Sequence, residues 1–524
     1  MMLLSFLFFF LRLGGCTGLK SVGVSAVDQS SASTTVLTER NIRGSTSASQ
    51  SFQVVQVLED GTNLARRSVR TSWPIRAAIR KTFLPSGYPN SVPREYISYQ
   101  RYHVLQDLAT QVRNTLATQR VLTGLGVGSA DATATSAITS WLLRDGAGMV
   151  SSLLFTGMNS DVFGTDVRRW RFFADTIVDA GILCELCAGS FFPLATSYDK
   201  AQKSHLFCFL GLLASGSVCK ALCGVAAGSA NCAINLHFAE SGGDIAEIAA
   251  KGNAIGTISG LVGLLLSLGL AQMTGGPGWG LKSAWTWFWS LTFLHLWACR
   301  RGLRLLVLKT ISMPRLEVLI NEFIDGKSTA ALLKKGNPES DERDAQYRSC
   351  LSTPEALALK ERVAAPPSSF PQIKIGVSLS RLTKKQTRCG KCYTIIRPAV
   401  TTSLLWEFND EKFVPIVARK SERHKLEIMV LLKDGAMKAD ELRAAVFSLL
   451  LLKRADAIGK VGSAEVAKGA ILSVKNEFGT TFPAFLSALE RSGWGNFTST
   501  GDLAGLDLRL LSGSWRFSVE CTGS

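Results

Sequence analysis

The stretch Gly252–Leu281 reads GNAIGTISGLVGLLLSLGLAQMTGGPGWGL and carries no charged side chain over 30 residues. A second uncharged stretch, Ser283–Cys299, adds 17 residues that include four tryptophans. Roughly 20 apolar residues span a bilayer as a helix, and the Gly-Gly-Pro-Gly sequence at 275–278 supplies a turn between two such helices. The pattern predicts a pair of apolar helices, either in a membrane or in a large soluble core.

The whole chain of 524 residues is rich in apolar side chains and poor in charged ones, at 46% and 19%. A soluble globular protein carries about 25% charged residues, so part of this chain needs little polar surface. The net charge is +17, and the basic residues form short clusters beside apolar stretches. This placement favours a lipid membrane surface as the partner and gives no indication of nucleic acid. The clusters are Arg66, Arg67 and Arg70; Arg168, Arg169 and Arg171; and Arg300, Arg301 and Arg304.

Apolar, Gly-rich and Ala-rich segments follow one another from Leu122 to Leu308, within a predicted helical domain of residues 82–325. Small residues recur four apart, in one pair at 224 and 228 and in another at 256 and 260. This spacing allows close helix contact in lipid, although soluble helical cores use it too. We therefore predict a mainly α fold: an apolar helical bundle, interpreted as membrane-embedded, followed by a small α+β C-terminal domain.

Several ionisable residues interrupt the apolar segments. Asp175 and Asp179 lie one helical turn apart and share a face, and Lys220 stands alone between two histidines. Charges inside a membrane are costly, so they normally point inward and pair, and a paired cluster can bind an ion or an anionic group. The alternative is a set of structural salt bridges, or segment ends in water. The candidate intramembrane polar cluster comprises Arg144, Asp145, Asp175, Asp179, Lys220 and His237.

Residues 1–72 have the composition of a targeting leader. Met1–Leu11 is almost wholly apolar but too short to span a bilayer, as in the hydrophobic part of a signal peptide. Residues 19–72 are basic, rich in Ser, Thr and Ala, and poor in acids, as in an organelle transit peptide. In tandem the two parts indicate a bipartite leader for import into a plastid with extra membranes. The alternative is a secretory signal followed by a linker, with a membrane of the secretory pathway as the destination.

The C-terminal third has the character of a soluble domain. Residues 326–372 are polar and Pro-rich and predict a linker, and residues 373–524 predict an α+β unit that contacts a partner or another subunit. Two strands joined by a charged turn are expected, and then three helices. The predicted strands are Phe413–Arg419 and Lys425–Leu432, and the predicted helices are Ala439–Arg454, Ala464–Phe478 and Pro483–Arg491.

Motifs for catalysis or cofactor binding are not recognisable in the sequence. Cys389 and Cys392 form a lone CxxC, whereas a structural zinc site needs four ligands. No phosphate-binding loop, dinucleotide fingerprint or nucleophile elbow occurs. We predict that the protein is not an enzyme and uses neither a metal nor a cofactor.

Five stretches resemble one known family in residue identity, order and spacing. They read FLPSGYPNSVPREYISYQRYHVLQ (83–106), TGLGVG (123–128), WLLRDGAGMVSSLLFT (141–156), DVRRWRFFADTIVDAG (166–181) and VCKALCGVAAGSANCAINLHFA (218–239). The family that they resemble is the root UVB-sensitive (RUS) family. In places the sequence departs from the family pattern: Asn231 stands where the family usually has Arg, and the sequence at 252–257 replaces acidic and Gln residues.

The resemblance implies a helical, membrane-associated protein, plastid-located in plants, that is tied to ultraviolet-B responses and vitamin B6 balance. It further implies homo- or hetero-oligomers with other family members, and it brings no established catalytic residues. We expect a membrane protein that moves or scaffolds a small solute. The alternative is a membrane-anchored regulatory module that acts through protein–protein contacts of its C-terminal domain. An enzyme of vitamin B6 chemistry would need an active-site lysine such as Lys220, and the sequence around Lys220 contains no phosphate-binding motif.

Overall fold

In the computed structural model, the chain forms two compact units. Unit 1 comprises residues 1–160 and 167–306, and unit 2 comprises residues 161–166 and 307–524. The structure describes residues 35–39, 53–57, 64–68, 74–125, 134–193, 202–274, 279–334, 351–361, 363, 373–378, 393–394, 398–420, 426–458, 464–495, 508–510 and 516–517.

Unit 1 is a bundle of long helices, as the apolar middle of the sequence predicts. The short helix α1 is followed by six helices of 25 to 38 residues. The helices are α1 (Pro74–Phe83), α2 (Tyr96–Gly124), α3 (Ala134–Asn159), α4 (Val167–Phe191), α5 (Gln202–Ala239), α6 (Ile245–Thr274) and α7 (Trp279–Leu305). The mainly α fold is therefore confirmed.

The six long helices alternate in direction. Near the end of α2, the Gln119 side chain donates a hydrogen bond to the Ala271 carbonyl near the end of α6, so these two helices run the same way. Gly302, near the end of α7, lies against Tyr102 near the start of α2, so α7 runs the opposite way. The chain therefore enters and leaves the bundle at the same end.

Close helix contacts in unit 1 form at glycines, but at other positions than predicted. A Cβ at Gly181 of α4 would lie 2.8 Å from the carbonyl oxygen of Gly216 in α5, so the two backbones touch. By contrast, a Cβ at Gly224, Gly228 or Gly260 would meet nothing within 4 Å. A Cβ at Gly256 would lie 3.8 Å from Oδ2 of Asp107 in α2, and both Gly256 and Gly260 line a cavity. The pairs 224/228 and 256/260 therefore do not bring two helix backbones together.

The outside of unit 1 is strongly apolar. Two helical segments, Ser204–Ala239 and Ile245–Gln272, are long and apolar enough to cross a membrane by length and composition. Only 17% and 22% of their most apolar stretches are buried within the protein, whereas a core helix of a soluble protein is mostly buried. We call the exposed large apolar residues of α3, α5, α6 and α7 the outer apolar surface. It includes Leu142, Met149, Leu153, Leu154, Phe207, Leu261, Leu264, Leu265, Leu268, Trp289 and Phe293.

Unit 2 combines a mixed sheet with helices, as predicted. Strands β7 (Phe413–Lys420) and β8 (Leu426–Lys433) pair antiparallel, with Phe413 opposite Leu432. Strands β5 (Ile373–Ile375) and β10 (Arg516–Phe517) pair in parallel with successive parts of β8, and β6 (Tyr393–Thr394) extends the sheet beside β7. The short strands β4 (Ile311–Ser312) and β9 (Leu508–Arg509) form a separate parallel pair.

Five helices lie among the described residues of unit 2. They are α8 (Met313–Lys334), α9 (Pro354–Lys360), α10 (Pro398–Glu407), α11 (Lys438–Ile458) and α12 (Ala464–Arg491). The two helices predicted around Pro483 are one continuous helix. Proline removes one amide donor, and the carbonyl that loses it belongs to Gly479, which lies at the exposed surface.

Two regions differ from their sequence-based outline. Helix α8 crosses the predicted boundary at residue 325, and its residues Leu316, Leu319 and Ile320 belong to the core of unit 2. Within the predicted leader, β1 (Thr35–Glu39), β2 (Gln53–Val57) and β3 (Leu64–Ser68) form an antiparallel sheet. The apolar stretch at 1–11 and the cysteines at 389 and 392 lie outside the described residues.

Candidate functional site

A buried ion pair lies inside unit 1. Arg113 of α2 has no exposed surface, and its Nη1 donates to Oδ1 of Asp179 in α4 at 2.5 Å. The same nitrogen donates to the Thr292 hydroxyl of α7 at 3.1 Å. Burying an unpaired charge is very costly, so the interior tolerates these groups only because they are paired and hydrogen-bonded.

A third side chain completes the surroundings of Asp179. His295 of α7 places Nδ1 at 3.1 Å from Oδ2 of Asp179, so both carboxylate oxygens have partners. His295 is itself buried. One carboxylate thus joins α2, α4 and α7, three helices that are far apart in the sequence.

A second buried carboxylate lies one turn before Asp179. The Asp175 Oδ1 is 3.3 Å from the Arg171 guanidinium on the same helix, and its Oδ2 accepts a hydrogen bond from the Cys299 thiol at 2.9 Å. Both partners are buried. Asp175 therefore links α4 with α7, as Asp179 does.

Beside this network, a polar cavity of about 650 Å³ lies between α2, α4, α5, α6 and α7. Most of its lining is polar, and one wall, from α6, is made of small residues that leave room for a ligand. On α6 the small residues are Ala249, Gly252, Gly256 and Gly260, and the polar lining comprises Tyr99, Gln100, His103, Gln106, Asp107, Thr110, Gln111, Arg171, Asp175, Asn231, Asn235, Asn253, Thr257 and His295. A polar cavity of this size, partly open to the outside, can hold a small organic molecule.

The family was established by comparison with known proteins. Residues 70–327, which contain the whole cavity, match the model of the vitamin B6 photo-protection and homoeostasis domain. The chain is 30% identical over 278 residues to protein root UVB sensitive 3 of Arabidopsis thaliana, covering 53% of this chain and 59% of that protein. The chain belongs to the root UVB sensitive family.

Two further RUS relatives cover similar shares. RUS family member 1 of Dictyostelium discoideum is 33% identical over 247 residues, 47% of this chain and 44% of that protein. Protein root UVB sensitive 2, chloroplastic, of Arabidopsis thaliana is 28% identical over 273 residues, 51% of this chain and 58% of that protein. The chain thus spans about half the length of the curated relatives it matches. No solved structure matches it.

The structure of this RUS protein brings only part of the predicted polar cluster together. Asp175 lines the cavity, and Asp179 lies behind it in the buried network. Lys220 of α5 instead pairs with the buried Glu185 of α4, at 2.6 Å from Nζ to Oε2. Within the described ranges, no group of three or more His, Cys, Asp or Glu side chains is placed to hold a metal ion.

The other three predicted residues lie elsewhere. His237, at the end of α5, is buried with its Nε2 at 3.0 Å from Oε1 of Glu95. Arg144 and Asp145 pair with each other at 3.2 Å on α3, and Asp145 is well exposed. Neither they nor His237 line the cavity.

Sequence reasoning missed several members of the network. Arg113, Arg171, His295 and Cys299 were not among the predicted site residues, although each contacts one of the two aspartates. The sequence does contain a pattern that indicates the polar face of α2. Tyr99, His103 and Gln106 recur at helical spacing, and Arg113 lies two turns beyond Gln106. Asn231 and the stretch 252–257, at which the chain departs from the RUS pattern, also contribute to the cavity lining.

Proposed function

We propose that unit 1 of this RUS protein lies within a membrane and holds a small polar solute in its cavity, either to move it or to present it to partner proteins. One observation carries the proposal: Arg113, Asp175 and Asp179 are buried inside the bundle, while many large apolar side chains are exposed on its outside. Water favours the opposite arrangement, whereas a bilayer favours this one.

The outer apolar surface supports a membrane location. Leu153 and Phe293 are 75% and 74% exposed, and Phe207 is 80% exposed. Soluble monomers rarely expose contiguous apolar patches larger than a few hundred Å². Lipid chains would cover this surface without cost. Because one relative is named chloroplastic, we propose a plastid membrane as its location.

The cavity supports the role with a solute. Its lining is rich in amide and hydroxyl groups, which bind small polar molecules by hydrogen bonds and fix their orientation. Inside a membrane such a lining would be costly without a polar occupant or water. Since the domain's description names vitamin B6, the B6 vitamers are the first solutes to test.

The test fills the cavity with a side chain. Gly260 lines the cavity and a Cβ there would meet nothing within 4 Å, so Gly260→Leu places its side chain in the volume available to a ligand. Gly224 has equally open space but is exposed and does not line the cavity, which makes Gly224→Leu a matched control. Binding of radiolabelled pyridoxine to the full chain in liposomes is the measurement.

We expect wild type and Gly224→Leu to bind pyridoxine and Gly260→Leu to lose at least about tenfold in affinity, the equivalent of one or two hydrogen bonds. Equal binding by all three proteins would show that the cavity does not hold this solute. No binding by any of them would refute the B6 assignment.

A further inference from the structure

The ionisable groups around the cavity are paired with one another. Among the described residues that line it, Arg171 lies 3.3 Å from Asp175 and His103 lies 3.2 Å from Asp107. His295 lies 3.1 Å from Asp179, just behind the cavity. Every basic side chain on the described lining thus lies within ion-pair distance of a carboxylate, and no lysine is among these side chains.

The two remaining walls, from α5 and α6, add no charge at all. Their polar contributions are amides and one hydroxyl, and amides on α2 face the same space. An amide side chain offers both donors and acceptors, so it binds neutral groups of either kind. The amides are Gln100, Gln106, Gln111, Asn231, Asn235 and Asn253.

Anion sites are built differently. Phosphate esters are held by Arg or Lys side chains whose charge is available, or by the first turn of a helix. Here the one guanidinium on the described lining already faces Asp175, and α6 contributes residues beyond its first turn. A phosphate dianion in this cavity would lack a counter-charge, at a large desolvation cost.

We propose that the cavity selects solutes without net charge, neutral or zwitterionic, that carry several hydrogen-bonding groups, and that it discriminates against their phosphate esters. The inference rests on the proposed function and names the substrate class of the same site. For the B6 vitamers, it assigns the unphosphorylated forms to this protein.

The first experiment compares two probes that differ only in the ester. Pyridoxine, which carries no net charge near neutral pH, and pyridoxine 5′-phosphate are titrated by calorimetry into the full chain in lipid nanodiscs. We expect pyridoxine to bind at least about tenfold more tightly, because the ester has no charge-assisted partner. Tighter binding of the ester would overturn the inference and leave the solute role standing. Failure of both probes to bind would refute the B6 assignment and the inference with it.

The second experiment reverses the preference. Asn235→Arg introduces a cation into the cavity wall without removing any ion pair, and Asn235→Gln is its neutral control. We expect Asn235→Arg to shift the affinity ratio toward the phosphate ester by about tenfold or more, and Asn235→Gln to leave it unchanged. An unchanged ratio in Asn235→Arg would overturn the inference.

A variant at another position keeps the inference testable if Asn235→Arg does not fold. Asp175→Asn releases Arg171 from its carboxylate and should shift the ratio in the same direction. Asp145→Asn removes a carboxylate from an arginine outside the cavity and should leave the ratio at the wild-type value. Equal ratios in these two variants would count against the charge argument.

Discussion

At the centre of unit 1, Arg113 pairs with Asp179, whereas at the centre of unit 2 three phenylalanines, Phe408, Phe413 and Phe447, pack on one another. The surfaces differ in the opposite sense: unit 1 exposes leucines and tryptophans, and the ion pairs of unit 2 include exposed lysines such as Lys438. Both units also bury apolar side chains, such as Leu186 in unit 1, but unit 1 combines a buried Arg–Asp pair with an apolar exterior. This contrast underlies the proposal that unit 1 lies in a membrane.

The largest expected effect concerns the buried ion pair. Arg113→Met leaves the Asp179 carboxylate buried without its guanidinium, and we expect a loss of about 3–5 kcal/mol of unfolding free energy. The double variant Arg113→Met/Asp179→Leu removes both charges and should regain most of that loss. Thermal unfolding of the full chain in detergent measures both.

The matched control for this prediction is Arg144→Met. Its partner Asp145 is well exposed, so the loss should stay within about 1 kcal/mol. If Arg113→Met and Arg144→Met unfold alike, the interior of unit 1 is not organised by charge, and the contrast between the units fails.

A second prediction compares the same substitution at a core and an outer position. Leu442 of unit 2 has no exposed surface, and Leu442→Ala should destabilise that unit by about 2–5 kcal/mol through the cavity it leaves. Leu153 lies on the outer apolar surface of unit 1, where Leu153→Ala should change stability by less than about 0.5 kcal/mol. Urea unfolding followed by limited proteolysis resolves the two units. A large loss in Leu153→Ala would mean that another part of the protein covers α3.

The smallest expected effect is a pH dependence in unit 2. Burial raises the pKa of the Glu322 carboxyl, but hydrogen bonds from Lys360 and Ser352 outweigh it, so the pKa lies below its ordinary value of 4.5. A carboxyl whose pKa is lowered by folding stabilises the folded state at pH values above its ordinary pKa. This stabilisation is lost as the pH falls through the folded-state pKa.

Glu322→Gln should therefore cost up to about 1 kcal/mol near neutral pH, since Lys360 is largely exposed. The difference from wild type should shrink as the pH falls below 4.5. Unfolding midpoints measured across this range check the sign, and a difference that grows toward acid would contradict it.

Much of the fold was predictable from local pattern. The uncharged stretch at 252–281 predicts an apolar helix, and α6 occupies most of it. Two short apolar runs joined by a charged turn predict β7 and β8, which pair in the expected order. In each case the signal lies within one element, where periodicity and turn residues determine the local structure.

The site was only half predictable because its contacts are long-range. Asp175 and Asp179 can be selected since they lie one turn apart in an apolar helix, but Arg113 is 66 residues from Asp179, and His295 is 116 residues from it. No local pattern states which helix faces which. The same limit applies to the glycine pairs, since spacing alone does not tell whether a glycine faces a helix, a cavity or the outside.

The localisation of unit 1 is the central claim, and alkaline carbonate extraction tests it most directly. The full chain is synthesised in the presence of liposomes, extracted and centrifuged. If unit 1 is embedded in the bilayer through its outer apolar surface, the chain stays with the lipid pellet. If the chain is released into the supernatant, the outer apolar surface is covered by protein, and the membrane proposal is wrong.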